Sequence, residues 1–324
     1  MQRRELCLAV LGATSLALPA VAQVASWPSR PIRLMVGFPP GGGSDLIARI
    51  LQPALGDILG TRVVVENRPG ASGMVATLEL IRSAPDGYNL LLLPTSHASN
   101  AVMIRDLPYD PAADTTAIIL VGHTLFVLAV HPSVPARSMG ELIDLAKTRQ
   151  VTYGTSGVGG QQHQAGELLR VRTGGDFVHV PYRGGGQALA ALVAGEVMSQ
   201  FVNLSTILPF VRDNRLRPLA VAWSERVPDM PTVPTTAEAG WPELTFAEWY
   251  GIFGPRDMPR PLRAHLITAF ERALRTEAVV DRLREARVPI AAGPSGDAFD
   301  AFVVAEIARF REIARLTGIA AQPQ

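Results

Sequence analysis

The sequence predicts an α/β fold of two similar lobes, each of them a sheet flanked by helices. From residue 31 onward, short runs of aliphatic and β-branched residues alternate with amphipathic helical patterns, which is typical of parallel βαβ units. A strand, a glycine-rich turn and a helix follow one another near residue 40 and again near residue 157. After residue 260 only helical patterns remain, which indicates that the chain returns to cover the first lobe.

The two predicted lobes are residues 27–126 together with 248–324, and residues 127–247. The chain crosses between them near Phe126 and near Ala247. Two such connecting segments can act as a hinge. The 324 residues are enough for two domains of ordinary size.

Five elements are predicted before residue 100, in the order strand, helix, strand, helix, strand. They cover residues 32–38, 44–59, 62–66, 72–83 and 89–94. The first helix carries an apolar stripe at helical spacing and should end at Gly60, because glycine readily adopts the left-handed conformation that closes helices. Pro53 lies inside this helix and is expected to kink it, because its ring removes one backbone hydrogen bond.

The remainder of the chain repeats this alternation before the final helices. Strands are predicted at residues 125–130, 151–154, 178–181, 198–203, 219–223 and 249–253. Helices are predicted at residues 138–149, 161–172, 187–194, 260–275, 277–286 and 295–316.

Composition excludes several classes of function. Lys and Arg number 30 against 29 Asp and Glu, so the net charge is +1 and no basic surface for nucleic acid is expected. Cys7 is the only cysteine and lies in the segment predicted to be removed, which excludes disulfides, thiolate catalysis and cysteine-ligated metals from the rest of the chain. The histidines show no metal-ligand spacing, so neither a metal site nor a cofactor is expected.

Residues 1–22 are predicted to be a secretory signal peptide. Arg3 and Arg4 precede an uncharged apolar run, and the small residues Ala20 and Ala22 match the pattern that signal peptidase reads. The apolar run is shorter than the roughly 20 residues that a spanning helix needs, and an uncleaved anchor is the less favoured alternative. The mature chain is therefore predicted to be exported to the periplasm.

Two glycine-rich turns, each between a strand and a helix, are the main candidates for ligand binding. Their glycines expose backbone N–H groups, and the positive end of the following helix dipole attracts an anion without a charged side chain. Two polar residues at the start of the first helix are also expected to cap it. The candidates are Phe38, Pro40, Gly41, Gly42, Gly43, Ser44 and Asp45 in the first turn, and Thr155, Ser156, Gly157, Gly159, Gly160 and His163 in the second.

Each turn alone is equally well explained as a tight connection that allows close packing. Their matched positions in the two halves favour a single anionic ligand held between two helix N-termini.

Two further candidates follow later strands. The turn of Tyr182, Arg183 and Gly184 offers an aromatic ring and a guanidinium to a carboxylate, although Arg183 could equally pair with a surface acid. Asn203 offers an amide at the end of its strand.

Other chemistries fit these turns less well. Neither turn has the lysine of a Walker loop or the last glycine of the dinucleotide fingerprint. Residues 154–158 are out of register with the G-x-S-x-G motif of serine hydrolases, so Ser156 is interpreted as a hydrogen-bond donor. An exported hydrolase that uses Ser156 with His163 is the less favoured alternative to a binding protein.

Six motifs occur in one order along nearly the whole mature chain. They are the run from Trp27-Pro28 through Phe38-Pro39-Pro40-Gly41-Gly42-Gly43-Ser44-Asp45, the run from Val64 to Gly73, Pro85-Asp86-Gly87-Tyr88, Leu107-Pro108-Tyr109-Asp110-Pro111, the run from His179 to Gly186, and Trp249-Tyr250-Gly251. In this order they closely resemble the extracytoplasmic receptors of tripartite tricarboxylate transporters, the Bug family.

The resemblance implies a two-lobe periplasmic-binding-protein architecture, with the ligand cleft between the lobes and no catalysis. It implies that the two glycine turns hold a small organic carboxylate, largely through backbone and hydroxyl groups. It further implies that the receptor hands this ligand to membrane permease subunits. Docking of the closed protein on the periplasmic domain of a sensor kinase is the alternative partner hypothesis.

The chain departs from the family pattern where a ligand acceptor is often found. Family members often have an aspartate in the helix after the Tyr182 turn, where this chain has Ala191, and a second aspartate where it has Val202. A ligand ammonium or hydroxyl group would have one hydrogen-bond partner fewer in this chain than in those family members. We therefore hypothesise a less polar or aromatic carboxylate in place of an amino-dicarboxylate.

Overall fold

A computed structural model of the chain describes residues 27–286, 288, 293–319 and 321. The predicted signal peptide at residues 1–22 lies outside the described residues. The described part of the chain contains strands and helices in alternation, so the α/β prediction is confirmed.

The bounds of the elements agree with most of the predicted ones to within a few residues. The strands are β1 (Ile32–Val36), β2 (Val63–Asn67), β3 (Asn89–Pro94), β4 (Thr115–Val130), β5 (Val151–Thr155), β6 (Phe177–Pro181), β7 (Ser199–Asn203), β8 (Arg217–Val221) and β9 (Ala247–Pro255). The α-helices are α1 (Gly43–Leu59), α2 (Met74–Ile81), α3 (Ser96–Met103), α4 (Met139–Thr148), α5 (Gln161–Thr173), α6 (Gly185–Ala194), α7 (Leu204–Arg212), α8 (Arg260–Leu274), α9 (Glu277–Glu285) and α10 (Asp297–Thr317).

The sheet order is β2-β1-β3-β9-β4-β7-β5-β6, and β8 also pairs with β4. Strand β1 is parallel to β2 and β3, and β5 is parallel to β6 and β7, as the βαβ pattern predicts. The prediction of parallel βαβ units does not hold at the centre of the sheet, because β9 is antiparallel to β3 and β4, and β4 is antiparallel to β7 and β8. The two parallel groups are therefore joined through the antiparallel pair β4 and β9.

Strand β4 is much longer than predicted. It has 16 residues, whereas the sequence predicts a strand only at residues 125–130. The polar interruption around His123 does not end the strand, because the pairing with β9 shifts register between Leu120 and Gly122 and resumes at once. A local irregularity of this kind absorbs an extra residue without breaking the ladder.

Two short helices that the sequence analysis missed, α3 and α7, begin directly after strands. Helix α3 starts at Ser96, shortly after β3 in the chain, and α7 starts at Leu204, directly after β7. With 8 and 9 residues, they are too short to show a clear 3.6-residue period. Helix α1 is one element through the exposed Pro53, and Gly60 closes it with φ +65° as predicted.

The described residues form three apolar clusters. One packs α1 against α8 and includes Ile47 and Phe270. A second lies under α6 and α7 and includes Leu192 and Ile207. The largest combines residues from both parallel groups with the buried face of α10, where Phe310 is fully buried.

Helix α10 has contacts in both halves of the molecule. It packs against α3, which follows a strand of the first parallel group, and against α5, which follows a strand of the second. Glu306 of this helix accepts a hydrogen bond of 3.0 Å from the Trp249 indole of β9. The C-terminal helices thus do more than cover the first lobe, because the last of them bridges the two halves.

Helix α5 can approach β5 closely only because residue 166 is glycine. A Cβ at Gly166 would lie 2.2 Å from Cε2 of Tyr153. The ring cannot move away cheaply, because Tyr153 is 3% exposed and its hydroxyl donates to Glu167 at 2.7 Å. This contact fixes the helix that begins at the second glycine turn.

We expect Gly166→Ala to lower the free energy of unfolding by about 1–3 kcal/mol, because the added methyl overpacks the contact with Tyr153. Urea denaturation monitored by circular dichroism measures this change. The matched control is Gly186→Ala in α6, where an added Cβ has nothing within 4 Å, and which should be neutral or slightly stabilising. Equal stability of the two variants would contradict this account of the α5 contact.

Candidate functional site

A cavity of about 760 Å³ lies between the two halves of the molecule. One wall comes from the end of β3 and from α3, and the opposite wall comes from the second glycine turn and α5. Phe126 of β4 and Glu248 of β9 complete the lining, close to the end of the ladder between these two long strands. The volume is within the range of pockets for small organic molecules.

Five helices begin at this cavity. Its lining includes residues just before α2, the first residues of α3, α5 and α6, and the residue that precedes α7. The first N–H groups of an α-helix have no acceptor within the helix, and the helix dipole adds positive potential at that end. None of the described residues that line the cavity is an Arg, Lys or His. The positive potential of the cavity therefore comes from backbone, which suits an anionic group.

Side chains of α5 hold the second glycine turn in place. The Ser156 N–H donates to Oε1 of Gln162 at 2.9 Å, and the Gly159 N–H donates to Nδ1 of His163 at 3.0 Å. The Gln164 amide donates to the Gly159 carbonyl at 2.9 Å. The Gly157 N–H also donates to the Thr155 hydroxyl at 3.3 Å, so three N–H groups of the turn are already paired. The first-turn N–H groups of α5 remain for a ligand.

Two stacked histidines lie behind this turn. The rings of His163 and His179 are 3.9 Å apart between centroids, and Nε2 of His179 is 2.6 Å from the Thr155 hydroxyl. Burial lowers the pKa of His163, and burial together with the neighbouring His163 lowers the pKa of His179 to about 4. Both rings are therefore neutral at pH 7, which lets Nδ1 of His163 accept its hydrogen bond.

The first glycine turn is organised around Asp45. Its carboxylate accepts hydrogen bonds from the Gly41 N–H at 2.9 Å, from Nε of Arg49 at 2.9 Å and from the Asn67 amide at 3.0 Å. Burial alone would raise the pKa of Asp45, but these hydrogen bonds outweigh it and the pKa lies below its usual value. The expected side-chain cap is absent, because the residue at the N-cap of α1 is Gly42.

The structure brings only some of the predicted site residues together at the cavity. Those in its wall are Phe38, Ser156, Gly157, Gly159, Gly160 and Asn203. Outside the wall are Pro40, Gly41, Gly42, Gly43, Ser44, Asp45, Thr155, His163, Tyr182, Arg183 and Gly184. In the second group, Asp45 and His163 fix the glycine turns from behind.

A third turn at the cavity, which carries backbone strain, was not predicted from the sequence. Ala71 and Ser72 line it with φ of +43° and +53°, a conformation that is costly for residues other than glycine. The Asn100 amide of α3 holds this turn by donating to the Ser72 carbonyl at 3.1 Å. The only sequence signal was the Gly-Ala-Ser-Gly run within one of the family motifs.

Position 191 does not contribute to the cavity. Ala191 is 4% exposed and packs in the apolar cluster under α6. Its lack of a carboxylate therefore removes no ligand partner from the cavity wall, and the hypothesis of a less polar ligand loses this support. The cavity instead contains Glu248, which the sequence analysis did not single out.

Among the described residues there is no group of three or more His, Cys, Asp or Glu side chains that could hold a metal ion. In the same part of the chain, no helix is both long enough and apolar enough to cross a bilayer.

A two-lobe α/β fold with a cavity between its halves is the architecture of periplasmic solute-binding receptors, which solved structures similar to this chain share. The model of the tripartite tricarboxylate transporter family receptor matches residues 47–319. The chain belongs to this family, and as a member it is a receptor that works with a membrane transporter and not an enzyme.

Relatives of this chain support the assignment over nearly its full length. Protein BugT of Bordetella pertussis is 35% identical over 320 residues, which is 96% of this chain and 97% of the relative. The structure of R. palustris Rpa4515 with adipate is 34% identical with a TM-score of 0.78 and covers 92% of this chain and 100% of that one. MatC from Rhodopseudomonas palustris with bound malate is 28% identical with a TM-score of 0.73, and the match covers 89% of this chain and 99% of that one. The predicted periplasmic-binding-protein fold is thus confirmed.

We expect Asp45→Asn to lower the free energy of unfolding at pH 7 by about 1–2 kcal/mol, because it removes a buried charged acceptor. The contribution of Asp45 is present above its unfolded pKa, near 3.8, and is lost as the pH falls through the lower folded pKa. The deficit of the variant should therefore shrink below pH 4. Urea denaturation at pH 7 and pH 3 checks this, with the exposed Asp57→Asn on the same helix as control. A deficit that is the same at both pH values would contradict it.

Stability should also fall as the pH drops from 6.5 towards 4. Unfolded histidine has a pKa near 6.5, whereas that of folded His179 is about 4, so the unfolded chain binds more protons in this window. His179→Gln should decline less steeply with pH than the wild type, by up to about 1.4 kcal/mol per pH unit. Urea titrations at pH 7, 5.5 and 4.5 measure both slopes. The exposed His265→Gln is the control, and an unchanged slope in His179→Gln would contradict the assignment.

Proposed function

We propose that this protein captures a small organic carboxylate in the 760 Å³ cavity and delivers it to the permease of a tripartite tricarboxylate-type transporter. We further propose that it works in the periplasm after removal of residues 1–22. The observation that carries the ligand class is the convergence of five helix N-termini on a cavity without a basic side chain among the described residues. Backbone N–H groups bind carboxylates in this way without a counter-ion.

Similar receptors support the carboxylate class. The structures with adipate and with malate contain small dicarboxylates, and both proteins have the same fold as this chain. The wall of the present cavity adds the hydroxyl side chains of Ser96, Ser99 and Ser156 to the backbone donors. It also adds the apolar side chains of Met103 and Phe126, which can pack against a carbon skeleton.

The proposed lobes are residues 27–126 with 248–324, and residues 127–247. In this division β4 and β9 are the strands in which the chain crosses, and they pair from Thr115 with Pro255 to Leu125 with Ala247. The cavity wall takes residues from both proposed lobes. Closure around a ligand would bring the two walls together and exclude water from the bound carboxylate.

The alternatives gain no support from the site. The hydrolase alternative needs His163 as a base for Ser156, but Nδ1 of His163 accepts from the Gly159 N–H, and the family consists of receptors. No observation in the described residues or in the relatives favours docking on a sensor kinase over delivery to a permease.

A charge-matched pair of variants at Gly160 tests the carboxylate site. Gly160 is the N-cap of α5 in an extended conformation, and a Cβ there would meet its nearest atom at an ordinary 3.9 Å. Both Asn and Asp are favoured N-cap residues, so both variants should fold. Gly160→Asp places a carboxylate where the ligand is expected and should weaken ligand binding at least tenfold more than Gly160→Asn, because like charges repel at close range.

The measurement is a thermal-shift screen followed by calorimetry on ligand-stripped receptor, with mono-, di- and tricarboxylates, amino acids and aromatic acids. A ligand at 100 times its Kd should stabilise the wild type by about 2.7 kcal/mol. Equal binding to the Asn and Asp variants would place the carboxylate elsewhere. If no member of the panel binds to folded wild-type protein, the proposed function is wrong.

A further inference from the structure

The cavity contains one ionisable side chain, and it is acidic. Among the described residues of the wall, only Glu248 can carry a charge. It forms no ion pair with any described residue, and its one hydrogen-bond partner in that part of the chain is the Tyr250 hydroxyl, which donates to Oε2 at 3.3 Å. A carboxyl group without a cation is unexpected in a cavity built to attract anions.

Strand register places Glu248 and Asn203 on the same face of the central sheet. Glu248 pairs with Thr124 of β4, and Asn203 pairs with Phe126 of the same strand. Residues 124 and 126 point to one face, because side chains alternate along a strand. Both residues line the cavity from strands on either side of β4, and two strand spacings with a two-residue offset put their Cα atoms about 12 Å apart.

Two further oxygens near this face have no partner. The side chain of Gln161 donates from Nε2 to the Ala247 carbonyl at 3.1 Å, which leaves its buried Oε1 without a hydrogen bond. The buried Oδ1 of Asn203 is also unpartnered, although this residue stands at the N-cap of α7, where such an oxygen normally accepts from the helix. Buried acceptors without partners are uncommon, and a hydrogen-bond donor on a ligand would satisfy both of these.

We infer that Glu248, Gln161 and Asn203 form an acceptor site that receives a hydrogen-bond donor of the ligand, an ammonium or hydroxyl group at the end opposite its carboxylate. This inference rests on the proposed function, since it takes the helix N-termini as the carboxylate site. The favoured ligand is then an amino or hydroxy acid and not a plain dicarboxylate.

Charge explains why a second ligand carboxylate is disfavoured here. A carboxylate beside the acceptor site would face the Glu248 carboxyl and two amide oxygens with no basic side chain in the described wall to offset the repulsion. Burial raises the pKa of Glu248, because no basic side chain of the described wall compensates its charge. A ligand ammonium supplies that compensation directly.

The test compares acids that differ only in the group at the far end. Calorimetry on ligand-stripped receptor would use ω-amino acids, ω-hydroxy acids, dicarboxylates and unsubstituted monocarboxylates with three to six carbons. At the best chain length, we expect the amino or hydroxy acid to bind more tightly than the other two. Glu248→Gln, which keeps the shape of the side chain, should lower the affinity for the amino acid about tenfold or more and leave the affinity for the unsubstituted acid nearly unchanged.

Two additional variants make the result independent of one substitution. Glu277→Gln, an exposed residue of α9, is the matched control and should change no affinity. Asn203→Asp keeps a favoured N-cap residue and adds a negative charge to the acceptor site. This variant should bind the ω-amino acid severalfold more tightly than the wild type does, and the dicarboxylate more weakly.

The outcomes separate the two proposals. If a dicarboxylate binds most tightly and Glu248→Gln does not weaken the amino or hydroxy acids, the acceptor site is wrong while the carboxylate function stands. If only acids outside this series bind, the acceptor site is likewise wrong. If no carboxylate of any class binds, both proposals fail.

Discussion

Positive potential without positive side chains is the constraint on which this site depends. No side chain in the described wall carries a positive charge, so the positive potential must come from helix N-termini, and several helices must begin at one place. Parallel strands allow this, because their carboxyl ends meet at one edge and each following helix starts there. The strands β3, β5, β6 and β7 all deliver helices to the cavity in this way. The glycine turns are the short connections that bring these helix starts close.

Exposed N–H groups need a rigid turn to hold them, and the chain meets this need with side chains behind each turn. Asp45 ties three donors around the first turn, and the histidine pair of His163 and His179 supports the second. Asp45 and His163 were predicted as ligand-binding residues because they follow the glycine turns. In the structure each accepts a hydrogen bond from a backbone N–H of its own turn, Gly41 and Gly159 respectively, and His179 contacts the Thr155 hydroxyl. The ligand is then left to backbone N–H groups, which do not titrate near neutral pH.

Local signals in the sequence predicted most elements and part of the site. Gly60 ends α1 as predicted, and β3 has its predicted bounds, because turn and strand chemistry there is local. The full length of β4 depends on its pairing with β9, more than a hundred residues away, and could not be predicted from nearby residues. Glu248 belongs to no recognised motif, and only strand register places it on the same face of the sheet as Asn203, across β4. The left-handed conformation of Ala71 and Ser72 was not predicted, because the flanking glycines do not indicate that non-glycine residues adopt it too.

The packing of α10 on both α3 and α5 has a mechanical consequence. Contacts near a rotation axis move least, so an axis that passes close to α10 preserves this packing while the opposite side of the molecule opens. The entrance for solute would then be on the side away from the C-terminal helix. A transport partner that opens the receptor would have to bind at that far rim, where a given rotation produces the largest displacement.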